Sequence, residues 1–209
     1  MVYRVTEIFK SIEGEGKRVG TPCTFIRLAG CNLRCRYCDT PYSQNDSDGM
    51  GMSIEEIRDA VKKNGLKAVT ITGGEPMLQD AIGLARELDW CRCNIETNGS
   101  IPLPTKPQNV FYTMDWKCGY SGMTRAMCQD NIKWLEFDDV IKFVVANRSD
   151  LDEARDIIRN GVRATAYISP VFGMIEPSEI VSYILENDLD ARVQVQLHKV
   201  IWDPDKRGV

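Results

Sequence analysis

Seven short apolar runs alternate with amphipathic segments, and this alternation constrains the fold more than any other feature of the chain. The runs are rich in Val, Ile, Thr or Phe and are bounded by turn residues, as buried strands are. They cover residues 23–29, 68–72, 93–97, 110–115, 140–146, 164–169 and 193–197. One helical pattern begins at a capping box formed by Ser53 and Glu56, and others cover residues 76–88, 149–159 and 178–187. Strands that alternate with helices pair in parallel through right-handed crossovers, which predicts an α/β domain.

The number of strands limits the type of α/β fold. Six or seven strands are too few for a closed eight-unit barrel, which takes about 250 residues. A partial, open barrel of the (β/α)6 type fits the count, and no linker or repeat divides the chain. We therefore expect one domain over residues 1–209. In such a domain the chemistry sits at the carboxyl ends of the strands.

Composition excludes several classes of protein. The chain has 209 residues, of which 43% are apolar and 27% charged, so it is not a disordered chain. The net charge of −4 gives no basic footprint, and no nucleic-acid partner is expected. No apolar run approaches the roughly 20 residues that span a bilayer. The first ten residues carry Arg4, Glu7 and Lys10 and contain no signal-peptide core. We expect a cytoplasmic protein without a membrane partner.

Three of the eight cysteines, Cys31, Cys35 and Cys38, lie together in the loop that follows the first apolar run. In a reducing compartment such a group indicates thiolate chemistry or a metal centre. Three interpretations are open. The thiols are structural, or they bind zinc with Cys23 or His198 as the fourth ligand, or they hold a four-iron cluster with one iron left for a non-protein ligand.

The spacing Cys-x3-Cys-x2-Cys resembles the signature of the radical S-adenosylmethionine (SAM) enzymes, and Tyr37 before the last cysteine also matches. The segment Thr72-Gly-Gly-Glu-Pro76 at the end of a strand resembles the family's second motif. The resemblance implies an open radical SAM barrel whose N- and C-terminal extensions close the site. It implies a [4Fe–4S] cluster on the three cysteines and SAM at the following positions: Arg36, Tyr37, Asp39, Gly74, Glu75, Asp115, Lys117 and Ser121.

Over nearly the whole chain the sequence is similar to the 7-carboxy-7-deazaguanine synthase family of queuosine and archaeosine biosynthesis. The opening Phe9-Lys-Ser-Ile-Glu-Gly-Glu-Gly16 and the element Gln196-Leu-His-Lys199 carry this similarity. The family contracts a ring of 6-carboxy-5,6,7,8-tetrahydropterin and releases ammonia, using a hydrogen-abstracting radical made from SAM. The resemblance implies pterin contacts at Ile12, Glu13, Gly14, Glu15, Arg27, Thr72, His198 and Val209.

The same resemblance implies Mg²⁺ at Thr40, an electron donor such as flavodoxin or ferredoxin, and a homodimer. Glu13 stands where many members of the family carry glutamine, so recognition is expected through the backbone of residues 12–14. Two alternatives to the synthase are open. One is a radical SAM activase that makes a glycyl radical on a partner protein. The other is a zinc-held binding module without catalysis.

Overall fold

One sheet of nine strands runs through the computed structural model, which describes residues 1–203 and 206–209. Its order is β3-β1-β2-β4-β5-β6-β7-β8-β9. The strands are β1 (Val2–Ile12), β2 (Pro22–Leu28), β3 (Met50–Ser53), β4 (Ala68–Gly73), β5 (Arg92–Thr97), β6 (Val110–Trp116), β7 (Val140–Val145), β8 (Thr165–Pro170) and β9 (Arg192–Val193). From β2 to β9 all neighbours are parallel, whereas β1 is antiparallel to both β2 and β3. The sheet ends at β3 and β9 and does not close, which confirms the predicted open barrel.

The helices are α1 (Ile54–Asn64), α2 (Ala81–Arg86), α3 (Asn131–Trp134), α4 (Arg148–Arg159), α5 (Pro177–Glu186) and α6 (Leu197–Ile201). The capping box predicted for α1 is present: the Ser53 hydroxyl accepts from the Glu56 amide, and the Glu56 carboxylate accepts from the Ser53 amide. Helix α4 begins one residue earlier than predicted. Its N-cap is Asn147, because the carboxylate of Asp150 accepts instead from the amides of Ala146 and Tyr120.

The structure differs from the sequence-based prediction in three further places, at β1, at residues 193–197 and between residues 76 and 88. Strand β1 was not predicted, because charged residues interrupt its apolar positions and its exposed side leaves no continuous apolar run. The run 193–197 is strand only at β9, since Gln194 turns toward Gly16 and α6 follows. Between residues 76 and 88 a 3-10 turn, Pro76–Leu78, precedes the short α2.

The hydrophobic core lies between the sheet and the helices on its outer face. Ile26, Leu28, Ile71, Ile95 and Phe143 are fully buried there. Each such side chain contributes about 1.5–3 kcal/mol by leaving water. In the described ranges no helix is long and apolar enough to cross a membrane. This packing holds the parallel strands so that their carboxyl ends meet around one cavity.

Candidate active site

A cavity of about 470 Å³ opens at the carboxyl ends of the parallel strands. It is where the open-barrel prediction places the chemistry. Residues from the first strand, the cysteine loop, the ends of six parallel strands and the C-terminal segment all line it. The predicted site residues that line it are Ile12, Glu13, Gly14, Glu15, Arg27, Cys31, Cys35, Tyr37, Cys38, Asp39, Thr40, Thr72, Gly74, Asp115, Lys117, His198 and Val209.

The cysteine loop forms one wall of this cavity. Cys31, Cys35 and Cys38 are all free thiols and all partly exposed to it. The Sγ atom of Cys31 accepts from the amide of Leu33 at 3.4 Å and from Nδ2 of Asn98 at 3.8 Å. Burial raises the pKa of the Cys31 and Cys35 thiols, so ligation would release their protons. A set of three thiolate donors with N–H groups aimed at sulfur suits an iron–sulfur cluster.

The arrangement does not suit a single zinc ion. Within residues 1–203 and 206–209, no three His, Cys, Asp or Glu side chains are grouped to hold one metal ion. Cys23, one predicted fourth ligand, is fully buried at the opposite end of β2, where its thiol donates to the carbonyl of Thr24. His198, the other predicted fourth ligand, lies over Gly14 on the C-terminal segment. Structural zinc needs four ligands on one centre, and the described side chains are not grouped in that way.

The glycine pair at the end of β4 approaches neighbouring backbone closely. A Cβ atom on Gly73 would overlap the backbone of Leu28, and one on Gly74 would overlap the carbonyl of Gly30. The amide of Gly74 donates to the Leu28 carbonyl at 3.0 Å. The glycines therefore let β4 and the start of the cysteine loop pack together, and Gly73 and Gly74 line the cavity through their backbone.

The structure does not place the carboxylate of Glu75 in the cavity, contrary to the predicted SAM contact. Glu75 is fully buried and accepts from the amide of Met77 at 2.9 Å, the amide of Asn98 at 2.6 Å and the hydroxyl of Thr97 at 2.8 Å. Burial raises its pKa to about 7. Its three bonds join the end of β4 to the end of β5, so Glu75 positions the cavity wall and does not form part of its surface.

Tyr37, Asp115 and Lys117 stand together beside the cysteines. The Tyr37 ring stacks on Tyr120 at a centroid distance of 6.4 Å, and Lys117 Nζ lies 5.7 Å from the Tyr37 ring. The Tyr37 hydroxyl is buried and has no hydrogen-bond partner in the described part of the chain. Asp115 Oδ2 lies 3.2 Å from Lys117 Nζ. Although burial opposes the charged form of Lys117, Asp115 holds its pKa above the usual value.

Lys142, on β7, joins this group to the opposite side of the cavity. Its Nζ lies 3.3 Å from Oδ1 of Asp115 and 3.0 Å from Oε2 of Glu15. Oε1 of Glu15 accepts from Nε2 of Gln196 at 3.0 Å. Burial opposes ionisation of Glu15, but Lys142 and Gln196 outweigh it and lower the pKa of the carboxyl. Carboxylates and ammonium groups therefore alternate across the cavity, in the order Glu15, Lys142, Asp115 and Lys117.

Arg27, at the end of β2, offers a partly free guanidinium. Its Nε donates to Oε1 of Glu7 at 2.7 Å, and Tyr42 donates to the same oxygen at 3.2 Å. In the described ranges, the two terminal nitrogens of Arg27 form no hydrogen bond with protein. Since Arg27 lines the cavity and is only 14% exposed, these nitrogens are available to an anionic ligand there.

The C-terminal segment closes the side of the cavity that the open sheet leaves. Gln194 accepts from the Gly16 amide at 2.6 Å, and the Leu197 amide donates to the Gly14 carbonyl at 2.9 Å. A Cβ atom on Gly14 would overlap the imidazole of His198, so only glycine fits under that ring. Burial lowers the pKa of His198, which favours the neutral imidazole. These contacts place His198 beside Gly14, where both line the cavity.

Glu96, at the end of β5, is a half-buried carboxyl on the cavity wall. Burial, followed by the charge of Glu13, raises its pKa to about 7. The segment 96–98 contributes three lining residues, and the end of β8 contributes Pro170 but not Ser169.

Three further predicted positions are placed differently from expectation. Arg36 is exposed, and its guanidinium lies 5.7 Å from the Tyr120 ring, outside the cavity lining. Ser121 is buried, and its hydroxyl accepts from the Met123 amide at 2.9 Å. The side chain of Glu13 accepts from Arg18 at 2.7 Å and from the Thr70 hydroxyl, so its carboxylate is already bound by protein groups inside the barrel. Its amide donates to the Thr21 carbonyl, and its carbonyl accepts from the Gly20 amide with a second acceptor position remaining.

Two residues that shape the cavity were not predicted, Lys142 and Gln194. A lysine in the middle of the apolar run 140–146 was the available signal for Lys142, because lysine is almost never buried without a partner. Gln194 had no comparable signal, because its role depends on a contact with Gly16, 178 residues earlier.

Comparison with known proteins supports a single assignment. Residues 25–108 match the family model described as the radical SAM superfamily. A 7-carboxy-7-deazaguanine synthase from Clostridium acetobutylicum is 45% identical over 100% of both chains. Those from Methanospirillum hungatei and Koribacter versatilis are 41% and 36% identical, covering 96% and 99% of this chain and 86% and 100% of theirs.

Solved structures share the fold. The crystal structure of QueE from Escherichia coli matches with a TM-score of 0.77 over 94% of both chains, at 22% identity. That of Streptococcus suis SuiB bound to S-adenosylmethionine matches with a TM-score of 0.54, at 16% identity, over 79% of this chain and 48% of that one. The match to the family model and the similar synthases, together with the cysteine wall of the cavity, define a radical SAM enzyme. The chain belongs to the 7-carboxy-7-deazaguanine synthase family.

The family's cofactors are a [4Fe–4S] cluster, SAM and Mg²⁺, and the residues of the cavity fit them. The three thiols fit the cluster, and the unpartnered hydroxyl of Tyr37 with Asp115 and Lys117 gives SAM polar groups beside it. Thr40 Oγ1 lies 3.9 Å from Cys38 Sγ and lines the cavity, so a hard oxygen donor is present for Mg²⁺.

Proposed function

We propose that the chain converts 6-carboxy-5,6,7,8-tetrahydropterin to 7-carboxy-7-deazaguanine with release of ammonia. The observation that carries the proposal is the composition of one cavity. Three free cysteines form one wall, and Glu15, Arg27 and His198 form the other. A cluster site alone would serve any radical SAM enzyme. The second wall supplies partners for a ligand with both an anionic group and N–H donors.

When bound, the cluster and SAM would supply the radical chemistry that removes a hydrogen atom from the substrate. The protein's contribution is to hold the reacting atoms close together in a dry site. Tyr37, Asp39, Asp115, Lys117 and the backbone at Gly74 would hold SAM. The zwitterionic end of SAM needs groups of both signs, and the pair Asp115 and Lys117 offers them.

The substrate would lie between the first strand and the C-terminal segment. The two free nitrogens of Arg27 suit the pterin carboxylate, because a guanidinium binds a carboxylate through two parallel hydrogen bonds. Glu15, kept ionised by Lys142, would accept from the pterin amino and ring N–H groups. Ile12, Gly14, Thr72, His198 and Val209 line the same region, which supports their assignment as contacts.

Thr40 would give its hydroxyl to Mg²⁺, with the remaining positions filled by substrate oxygens and water. A cation there would stabilise negative charge on the substrate carboxylate during the rearrangement. The Thr40 carbonyl already accepts from Ser43, which fixes the residue and leaves its hydroxyl available.

We extend the proposal to the setting of the enzyme. It acts as one domain over residues 1–209, as a homodimer in the cytoplasm, where a low-potential carrier such as flavodoxin or ferredoxin reduces the cluster. Support comes from the eight free cysteines, since unpaired thiols and a reduced cluster require a reducing compartment. The continuous nine-stranded sheet supports the single domain.

The test is an anaerobic assay with reconstituted enzyme, carboxytetrahydropterin, SAM, Mg²⁺ and a chemical reductant. We expect 7-carboxy-7-deazaguanine and ammonia in equal amounts. Arg27→Gln should keep the cluster and the cleavage of SAM but lose most turnover of the pterin. Arg58→Gln, at a paired arginine on α1, is the matched control. A loaded enzyme that cleaves SAM and leaves the pterin unchanged would refute the proposal and favour the activase alternative.

A further inference from the structure

The outer surface of the cysteine loop carries three exposed arginines that the proposed reaction does not use. Arg34 and Arg36 lie between the cysteines, and Arg125 lies in the 3-10 turn Thr124–Ala126. The two segments touch: the Arg34 amide donates to Met123 Sδ at 3.4 Å, and the Arg36 amide donates to the Ser121 carbonyl at 3.2 Å. The three arginines therefore lie on two segments that contact each other, and none of them lines the cavity.

The charge of this face is not balanced by the protein. Within residues 1–203 and 206–209, Arg34, Arg36 and Arg125 form no ion pair. Arg34 Nη1 bonds only the carbonyls of Cys31 and Leu33, both at 2.7 Å. Arg86, Arg159 and Arg163 are also exposed and form no ion pair within the described residues, but they lie where the parallel strands begin, away from the cysteine loop. The chain as a whole carries a net charge of −4, so this patch is opposite in sign to the molecule.

Acidic residues close in sequence do not neutralise the patch. Asp130 pairs with Lys133 at 2.8 Å, and Asp39 lies 3.7 Å from Lys199. Glu153, next to the same segment, accepts from the amide of Gly119 and from the indole of Trp116. The carboxylates around the loop thus have other partners, and the three arginines are free to meet charge from outside.

We propose that Arg34, Arg36 and Arg125 form the docking face for an acidic one-electron carrier protein. The inference rests on the proposed function, which requires the cluster to be reduced. One electron passes from the carrier to the cluster: the carrier is oxidised by one electron, the cluster is reduced by one, and no bond or proton is exchanged. A carrier that approaches the cysteine loop from outside meets these arginines first.

Charge explains why this face selects such a partner. Guanidinium groups pair with carboxylates through two hydrogen bonds, and opposite charges accelerate encounter by about 10- to 1,000-fold. An acidic carrier is repelled by the negative surface of the rest of the chain, so the local patch also sets its orientation. The attraction acts between exposed groups and is screened by salt.

The test uses flavodoxin in its hydroquinone state as the carrier and photoreduced 5-deazariboflavin as a small neutral reductant. The charge-reversal variant is R34E/R36E/R125E. The control is R86E/R159E/R163E, which changes the net charge equally at residues on the edge where the parallel strands begin. Iron content is measured first, then the Kd for oxidised flavodoxin and the rate of cluster bleaching at low and high salt.

We expect the first variant to bind flavodoxin about tenfold or more weakly, to be reduced correspondingly slowly, and to lose the salt dependence of the wild type. Reduction by 5-deazariboflavin should be unchanged in both variants, and the control should bind flavodoxin as the wild type does. Unchanged binding and an unchanged salt dependence in R34E/R36E/R125E would overturn the proposal.

R125E alone keeps the test decisive if the triple variant fails to load its cluster, because Arg125 makes no side-chain hydrogen bond to the cysteine loop. A several-fold loss of flavodoxin affinity in R125E supports the docking face, and wild-type affinity contradicts it. Turnover of the pterin with 5-deazariboflavin is measured in parallel. Product formed there establishes the proposed function whatever the outcome for docking.

Discussion

Lys142 Nζ lies 3.0 Å from Glu15 Oε2 on the floor of the cavity, and both side chains are largely buried. Lys142 comes from β7 and Glu15 from the turn after β1, so the pair spans the inside of the open barrel. The same lysine also contacts Asp115, which stands beside the cysteine wall. One ammonium group thereby bridges two carboxylates that lie on different sides of the site.

Lys142→Met should destabilise the protein by about 3–5 kcal/mol, because Glu15 would be left buried without its cation and Asp115 would keep only Lys117. Anaerobic urea denaturation measures the change. The double variant Glu15→Gln/Lys142→Met should recover part of the loss, since one of the uncompensated charges is gone. A single variant with wild-type stability would show that water, and not Lys142, balances these carboxylates.

Cys35→Ala should abolish the brown colour, the iron content and the turnover of the enzyme, since two thiolates cannot hold the cluster in its place. Cys128→Ala is the matched control, because Cys128 is also a partly exposed free thiol but lies outside the cavity lining. Absorbance and iron analysis on oxygen-free protein give the answer. Full iron loading in Cys35→Ala would show that the cluster does not bind at the cysteine loop.

Gly14→Ala should raise KM for the pterin several-fold and leave SAM binding nearly unchanged, because the new methyl group would push the His198 ring out of position. The cost in stability should be about 1–3 kcal/mol, the usual range for overpacking. Gly51→Ala is the control, since its methyl group would meet the side chain of the exposed Val2 at 3.1 Å and Arg4 Nη1 at 3.9 Å, away from the cavity. Equal kinetics in the two variants would exclude the contact between residue 14 and His198 as a determinant of the site.

Arg18→Met should cost about 3–5 kcal/mol, because the carboxylate of Glu13 is only 2% exposed and would lose its cation. Glu13→Gln should cost less, since the amide oxygen still accepts from Arg18 and the neutral side chain needs no counter-charge. Unfolding curves of the two variants give the comparison. A larger loss of stability in Glu13→Gln than in Arg18→Met would contradict the prediction. It would show that the guanidinium, and not the carboxylate, depends on its partner.

Glu96 makes the stability of the protein depend on pH. Its pKa in the folded protein, about 7, lies above the ordinary value of 4.5, so the folded state binds this proton more tightly than the unfolded state. Its contribution to stability is complete below about pH 4.5 and is lost as the pH rises through about 7. Between about pH 5 and pH 8, Glu96→Gln should therefore lose less stability than the wild type does. Parallel pH profiles would contradict the raised pKa.

The sequence predicted those parts of the fold that depend on local patterns. Strands β2 and β4 to β8 were predicted because parallel strands covered on both faces are continuous apolar runs. Helix α1 was predicted because Ser53 and Glu56 form a capping box within four residues. The position of the cavity followed from the rule that chemistry lies at the carboxyl ends of parallel strands.

Features that depend on distant contacts could not be predicted in the same way. The motif containing Glu75 was identified, but the direction of its carboxylate is set by the amides of Met77 and Asn98 and could not be predicted from the motif alone. Lys142 faces Glu15 across 127 positions of sequence. Arg36 follows a cysteine ligand, yet its side chain turns outward because its own amide is bound to Ser121.

The seam between the first strand and the C-terminal segment has a consequence for biosynthesis. Gln194 and Gln196 reach Gly16 and Glu15 across 178 and 181 positions, so this wall can form only after residue 196 has left the ribosome. Most partners of the cysteine loop, such as Asn98 and Met123, are synthesised much earlier. In a nascent chain the three thiols therefore line a cavity that still lacks its C-terminal wall. Iron–sulfur assembly factors can reach the thiols during this period, before the wall forms.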